Sequence, residues 1–220
     1  MPTIDCSLVS DGPSDAALLP MIRWAVAKYA AQFSVEAVWA DLRRSRVRPR
    51  SLAEKITEAV SLYPCDILFV HRDAEGQPPD WRRKEIDGAT TAAQGGEFVT
   101  PYVCVIPVRM QEAWLLLDPI AIRRAANNPN GRVPLLMPHA DRIENIPDPK
   151  CLLYDLLRTA SGLRKRRLSA FRPWSQARLV SEYICNMTVL RHLSAFQRFE
   201  AEVQDVVARM LIEKRHKGGL

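Results

Sequence analysis

Residues 65–71, CDILFVH, form an apolar run that is too short for a typical helix and too continuous for a strand at the edge of a sheet. A strand that is apolar on both faces is typical of the centre of a parallel sheet, where helices cover both sides. We therefore predict a buried central strand here. Further short apolar runs predict strands at 3–9, 34–40 and 102–108.

Helices are predicted between these strands. Residues 14–33 carry apolar side chains at helical spacing, and Ser14 is suited to be the N-cap. Ser51 and Glu54 have the spacing of a capping box, which predicts the start of a second helix. A third, weaker helix, RRKEIDGATTAAQ at 82–94, is expected to be broken or softened at Gly88. The alternation of strands and helices predicts an α/β fold with a mostly parallel sheet flanked by helices.

The second half of the chain differs in pattern. Helical periodicity dominates from about residue 111 onward, and a proline-rich segment at 127–150 interrupts it. We predict an α/β domain over 1–127 and an α-helical C-terminal extension over 128–220.

Composition limits the class of protein. The 220 residues are 47% hydrophobic and carry a formal net charge of +6, which permits DNA or RNA as a partner. The five cysteines are single and widely spaced, and this pattern is typical of a reducing compartment. We find neither a signal peptide nor an apolar run of membrane-spanning length, so a cytoplasmic protein without membrane contact is expected. A homo-oligomer is compatible with the sequence.

Acidic residues follow three of the predicted strands. Because the carboxyl ends of parallel strands meet at one edge of a sheet, their side chains are expected to converge. Carboxylate oxygens favour Mg²⁺, or Mn²⁺, over zinc. The predicted metal ligands are Asp11, Asp15, Asp73, Glu75 and Glu112.

Each acid also has a simpler interpretation. Asp11 followed by Gly-Pro is common in turns, and Asp15 suits the start of a helix. Glu112 could be a solvated helix residue. Both interpretations stay open on the residues alone.

Arginines form a second feature of the sequence. Guanidinium groups match phosphate oxygens, so a cluster after the second strand predicts a nucleic-acid contact, although a solvated loop is the alternative. Two further arginines flank the predicted acids and would contact a phosphate or pair with the carboxylates. The predicted contacts are Arg43, Arg44, Arg46, Arg48 and Arg50 in the cluster, with Arg72 and Arg109 beside the acids. A second cluster, RKRR at 164–167, has the same two interpretations.

His71 and Trp114 each have a structural and a functional interpretation. His71 ends the central strand, where a structural histidine is expected more than a general base. Trp114 lies in an apolar run, so it is expected in the core rather than as a stacking platform.

Three segments together resemble a known family. They are LVSDGPSDAALLP at 8–20, DILFVHRDAEG at 66–76 and VIPVRMQEAWLLLDPIAI at 105–122. The first two resemble the acidic motifs of Toprim-like (Rossmannoid) domains. The third resembles the Glu-Ala-Trp segment of a bacterial Toprim-like family whose members are often partners of ATPases related to the OLD nucleases.

The resemblance implies roles for the acids. Asp11 matches the first-motif acid, which acts as general acid or base, and Asp15 matches the Asp at the start of the helix. Asp73 and Glu75 match the Asp-x-Asp motif, and Glu112 matches the acid of Glu-Ala-Trp. By this resemblance, the catalytic residues would be Asp11, Asp73, Glu75 and Glu112. The main task of the acids other than Asp11 would be to hold Mg²⁺. Asp11 is one methylene shorter, and Glu75 one longer, than the family pattern.

The expected function follows from this resemblance. It is a Mg²⁺-dependent nuclease that cuts DNA or RNA as the effector partner of an OLD-type or ABC-type ATPase in antiphage defence. The alternative is an inactive binding or regulatory module that docks on an ATPase or on nucleic acid. A small-molecule phosphotransfer enzyme is disfavoured, because the sequence has no glycine-rich phosphate loop.

Overall fold

The computed structural model describes residues 1–45, 48–94 and 100–218. Its contacts divide the chain into two compact units. The first comprises Met1–Arg72, Gln77–Ile106 and Arg198–Leu220, and the second comprises Asp73–Gly76 and Pro107–Gln197. The predicted domain boundary at residue 127 stays a prediction, since these units are defined by contacts alone.

The first unit is built on a four-stranded, fully parallel sheet. Its strands are β1 (Thr3–Val9), β2 (Ser34–Trp39), β3 (Ile67–His71) and β4 (Tyr102–Val105), in the spatial order β2-β1-β3-β4. Parallel pairing joins Cys6 to Ile67 and Leu68 to Tyr102. All five residues of β3 are buried, as predicted for a central strand. The predicted α/β class with a parallel sheet flanked by helices is therefore confirmed.

The strand order creates a switch point between β1 and β3. From β1 the chain crosses to β2 on one side, and it then returns to β3 on the other side. In open α/β sheets, ligands bind outside the carboxyl ends of the strands at such a point. Ser10 and Asp11 follow β1 directly, and Arg72 follows β3.

Helices α1 (Leu19–Tyr29), α2 (Leu52–Leu62) and α3 (Pro79–Gln94) belong to the first unit. The long C-terminal helix α8 (Ser194–Gly218) contributes its residues from Arg198 onward. Its Phe199 ring lies 6.2 Å from the Phe69 ring of β3, centroid to centroid. Helix α3 is continuous through the exposed Gly88, so the expected break there is wrong, while a softening of the helix stays a prediction.

The segment before α1 differs from its prediction. A 3-10 helix, Pro13–Leu18, precedes α1, and its N-cap is Gly12 rather than Ser14. The Asp15 carboxylate accepts a hydrogen bond from the Gly12 N–H at 3.1 Å, so the cap is formed by this acid. The Ser14 hydroxyl donates to the same carboxylate at 3.0 Å instead of capping the helix.

The second unit is helical. It contains 3-10 helices Gln111–Leu115, Ala140–Asn145 and Met187–His192, and α-helices α4 (Pro119–Ala125), α5 (Pro149–Ser161), α6 (Lys165–Ser169) and α7 (Pro173–Tyr183). Both α5 and α7 contact the 3-10 helix Gln111–Leu115. Trp114 of that helix is buried and meets Phe196 edge-on, with ring centroids 5.2 Å apart. The prediction that Trp114 is a core residue is confirmed, as is the helical C-terminal extension.

A membrane-spanning helix is not found in 1–45, 48–94 or 100–218, because none of the helices there combines the required length and apolarity.

Candidate active-site residues in the two units

Asp11 is held between two cations in the first unit. Its Oδ1 lies 2.7 Å from Lys55 Nζ of α2, and its Oδ2 lies 2.6 Å from Arg72 Nη1 at the end of β3. Arg72 also contacts Glu85 of α3 at 3.0 Å, and Glu85 binds Arg82 at 2.7 Å. We call these five residues the Asp11 network. Of the two roles predicted for Arg72, the structure contains the pairing with carboxylates.

The network sets the ionisation of Asp11. Partial burial by itself raises the pKa of this carboxyl, but the Lys55 hydrogen bond and the Arg72 charge outweigh that effect. The pKa of Asp11 is therefore lowered from its ordinary value. At neutral pH the side chain is an anion, and it is 56% exposed between its two cations.

Asp15 has a structural role in the same turn. The side chain is buried, and its carboxylate holds the Gly12 N–H and the Ser14 hydroxyl. The sequence leaves two interpretations of Asp15 open, a metal ligand and a helix cap. The hydrogen bonds to Gly12 and Ser14 are those of a helix cap. Metal binding by Asp15 stays a prediction.

The arginines of the cluster after β2 differ in their contacts and exposure. Arg43 is bound by both carboxylate oxygens of Asp41, at 2.7 Å each, and its guanidinium carbon lies 5.3 Å from the Trp39 ring centroid. Arg48 and Arg50 are exposed. Arg44 belongs to the short 3-10 helix Leu42–Arg44, and the predicted contact Arg46 lies outside the described residues.

His71 is buried at the end of β3. Its Nδ1 lies 2.9 Å from the Val105 carbonyl oxygen. A carbonyl oxygen only accepts, so Nδ1 carries the proton of this bond. This contact is the one expected of a structural histidine that ties β3 to β4.

In the second unit, the segment Asp73–Gly76 pairs with the segment Pro107–Arg109. The N–H groups of Ala74, Glu75 and Gly76 donate to the carbonyls of Pro107, Arg109 and Val108, at 3.0–3.1 Å. Glu75 and Gly76 both have positive φ, at 53° and 82°. This left-handed conformation begins at Glu75, the last residue of the Asp-x-Glu motif, and continues at Gly76.

Arg109 lies against this turn. Gly76 has a φ of 82°, which favours glycine, and a Cβ atom added there would lie 2.9 Å from Arg109 Nη1, so the guanidinium would have to shift. The sequence places Arg109 beside the acids, and the structure brings it to the residue that follows Glu75.

Asp73 is bonded directly to the segment that carries Glu112. Its Oδ1 accepts a hydrogen bond from the Gln111 N–H at 3.0 Å. Gln111 is the first residue of the 3-10 helix, and the N-cap residue Met110 supplies no side-chain acceptor there. Two of the predicted acidic motifs, separate in sequence, are therefore joined by one carboxylate.

Glu112 is buried and lies near residues of α5. Its Oε1 is 3.6 Å from Lys150 Nζ in the first turn of that helix. Tyr154 lies one turn further along α5, and its pKa is raised by burial and by the Glu112 charge against the opposing charge of Lys150. Glu112 is therefore not the solvated helix residue that the sequence leaves open.

The contacts of the acids decide whether the implied Mg²⁺ fits. The carboxylate donors match the chemistry that Mg²⁺ prefers. However, within 1–45, 48–94 and 100–218, no group of three or more His, Cys, Asp or Glu side chains is arranged to hold a metal ion. Asp11 and Glu112 contact cationic side chains and Asp73 accepts a backbone N–H, so the arrangement as it stands does not fit the ion.

Sequence reasoning missed the cationic partners of the acids. Lys55 and Lys150 both lie in the first turn of a helix, and neither belongs to a predicted motif. No local pattern identifies either partner: Lys55 depends on the packing of α2 against β1, and Lys150 depends on the contact of α5 with the 3-10 helix Gln111–Leu115.

Comparisons with known proteins add no relative. A scan of protein-family models, a search of curated proteins and a search of solved structures returned no significant match for this chain.

Proposed function

We propose that this chain is a Toprim-like nuclease that cuts phosphodiester bonds in DNA or RNA, as the partner of an OLD-type ATPase in antiphage defence. One observation carries the proposal: the Asp73 carboxylate holds the Gln111 N–H at 3.0 Å, next to Glu112. Two of the three motifs that carry the resemblance, those of Asp73 and of Glu112, are thus connected within one compact unit, whereas Asp11 and Asp15 belong to the other unit.

The residues of the second unit would have distinct tasks. Arg109 and Lys150 are cations next to the acidic motifs, and both can hold the phosphate of a substrate. Asp73 fixes the start of the 3-10 helix and thereby positions Glu112. Because the present arrangement does not fit Mg²⁺, the contributions of Asp11, Asp15 and Glu75 stay predictions.

The test is cleavage of plasmid DNA and total tRNA by the purified chain, with and without an OLD-type ATPase, in Mg²⁺, Mn²⁺ or EDTA. Asp73→Asn keeps an oxygen acceptor for the Gln111 N–H and removes the charge. Glu112→Gln removes the second charge. Each is expected to lower cutting by at least about 100-fold, the usual contribution of a positioned acid or base.

A matched control is available in the same unit. Asp141 is 78% exposed and lies 3.2 Å from His139, so Asp141→Asn makes the same chemical change outside the acidic motifs. It should leave cutting unchanged. If Asp141→Asn lowers cutting as much as Asp73→Asn does, the loss reflects overall charge or folding and the assignment of Asp73 fails.

The second candidate is an inactive module that docks on nucleic acid or on the ATPase. The pairing of Asp11 with Lys55 and Arg72 favours it, because a carboxylate between two cations is a poor general base. No cutting under any condition, with Mn²⁺ raising the melting temperature of the wild type but not of Asp73→Asn, would support this module. Neither cutting nor stabilisation by metal would remove the metal site altogether.

A further inference from the structure

The second unit carries a long stretch that is rich in cations and lacks acids. Between Asp155 and Glu182 the sequence contains no Asp or Glu. The same stretch has exposed cationic side chains in and around α6 and α7. Together with the exposed Trp174, we call them the α6–α7 surface: Arg164, Lys165, Arg166, Arg167, Arg172 and Arg178.

Two short helices hold these side chains. None of the residues of α6 is buried, so its cations all face solvent. In α7 the buried positions are Pro173, Ala177, Val180 and Ser181. The opposite face therefore presents Trp174 together with the residue four positions later, Arg178.

In the part of the chain that the structure describes, no acid forms an ion pair with the α6–α7 surface. The ion pair of this stretch joins Arg158 to Asp155 at 2.8 Å and lies outside that surface. Arg43 and Arg72, by contrast, are bound by Asp41 and Asp11. The charge of the surface is thus available to an external polyanion.

Trp174 points to the form of that polyanion. Its side chain is 59% exposed, whereas Trp114 in the same unit is 1% exposed. An exposed indole beside guanidinium groups is a platform on which an unpaired base can stack. Bases within a duplex are already stacked on each other and do not offer that face.

We infer that the α6–α7 surface binds single-stranded nucleic acid, with the cations on the phosphates and Trp174 stacked on a base. Helix α7 contacts the 3-10 helix that carries Glu112. The surface therefore lies on a helix that supports a candidate catalytic acid. This inference rests on the proposed function for what happens to the bound strand, and it names the substrate class of that site.

The test is fluorescence anisotropy of a labelled oligo(dT) in EDTA, where binding is read without cutting. Arg166→Ala/Arg167→Ala should weaken binding by at least about tenfold and lower the slope of log K against log salt by about 0.7 for each phosphate that is no longer neutralised. Arg132→Ala/Arg142→Ala removes the same charge from exposed positions of the same unit and should change affinity by less than about twofold. Trp174→Ala should weaken binding, and Trp174→Phe should restore most of it.

Several outcomes would overturn the inference. Equal weakening by the two double variants would mean that net charge alone acts. Unchanged oligo(dT) binding by Trp174→Ala would contradict the single-stranded site, and so would tighter binding of duplex DNA than of oligo(dT). Binding to anionic lipid vesicles but not to oligo(dT) would assign the surface to a membrane. Oligo(dT) binding by a chain that never cuts would leave this inference standing while the nuclease proposal fails. If all variants of the α6–α7 surface still cut and still bind oligo(dT) as the wild type does, this inference fails while the nuclease proposal stands.

Discussion

Arg72 Nη1 lies 2.6 Å from Asp11 Oδ2, and this ion pair joins the end of β3 to the turn after β1. The pair spans the switch point of the sheet, where a ligand of an α/β protein is expected. Lys55 shares the same carboxylate at 2.7 Å. The acid that the family resemblance makes a general acid or base is therefore fixed as an anion by its own neighbours.

Replacing Asp11 should give a pH-dependent loss of stability. The pKa of Asp11 is lowered in the folded chain, so its contribution is present above the unfolded value and is lost as pH falls through the folded one. Asp11→Asn should cost up to about 1 kcal/mol at neutral pH, because the carboxylate is half exposed. Urea unfolding at about pH 7 and about pH 3 should show the cost shrinking below the ordinary Asp pKa of about 3.9.

Asp141→Asn is the control for this measurement. Asp141 is 78% exposed and lies 3.2 Å from the exposed His139, so its replacement should have a smaller effect. A cost of Asp11→Asn that stays the same at both pH values would contradict the role given to the charge.

A second prediction separates the two functions of the Asp73 side chain. Asp73→Ala removes the acceptor of the Gln111 N–H and should cost about 1 kcal/mol, as removal of a helix cap does. Asp73→Asn keeps an acceptor and should cost less than half as much. Urea unfolding measures both, and Asp118→Ala, which removes the acceptor of the Ile120 and Ala121 N–H groups, provides the reference for a missing cap.

The result decides how the nuclease assay is interpreted. If Asp73→Asn is as unstable as Asp73→Ala, the amide does not replace the carboxylate as an acceptor. Loss of cutting by Asp73→Asn would then no longer report on charge alone.

Local pattern predicts much of this fold and less of its candidate site. The continuous apolar run of β3 is sufficient to place a buried central strand, because burial on both faces requires it. The start of the helix after β1 is less well predicted, since Gly12 and Asp15 cap it where Ser14 is expected. Lys55, which pairs with Asp11 across 44 residues of sequence, depends on tertiary packing that no local pattern encodes.

Two glycine substitutions should have opposite effects on stability. Gly76 has φ of 82°, and an added Cβ would lie 2.9 Å from Arg109 Nη1. Gly76→Ala should therefore destabilise the chain by about 1–2 kcal/mol. Gly88 is in the middle of α3 with nothing within 4 Å of an added Cβ, so Gly88→Ala should stabilise it by about 0.5–1 kcal/mol.

Thermal unfolding of both variants against the wild type tests the pair. The two changes are chemically identical, so each controls for the other. A stabilised Gly76→Ala variant would show that the turn after Glu75 does not require its left-handed conformation. A destabilised Gly88→Ala variant would show that α3 is not a regular helix at this exposed position.

The two tryptophans of the second unit should differ sharply when truncated. Trp114 is buried and packs edge-on against Phe196, so Trp114→Ala should cost about 3–5 kcal/mol. Trp174 is 59% exposed, and Trp174→Ala should stay within about 0.5 kcal/mol of the wild type. Urea unfolding followed by far-ultraviolet circular dichroism measures both without depending on tryptophan fluorescence. A large cost for Trp174→Ala would place this indole in the packing of α7, and weaker oligo(dT) binding by that variant would then reflect misfolding rather than removal of a stacking platform.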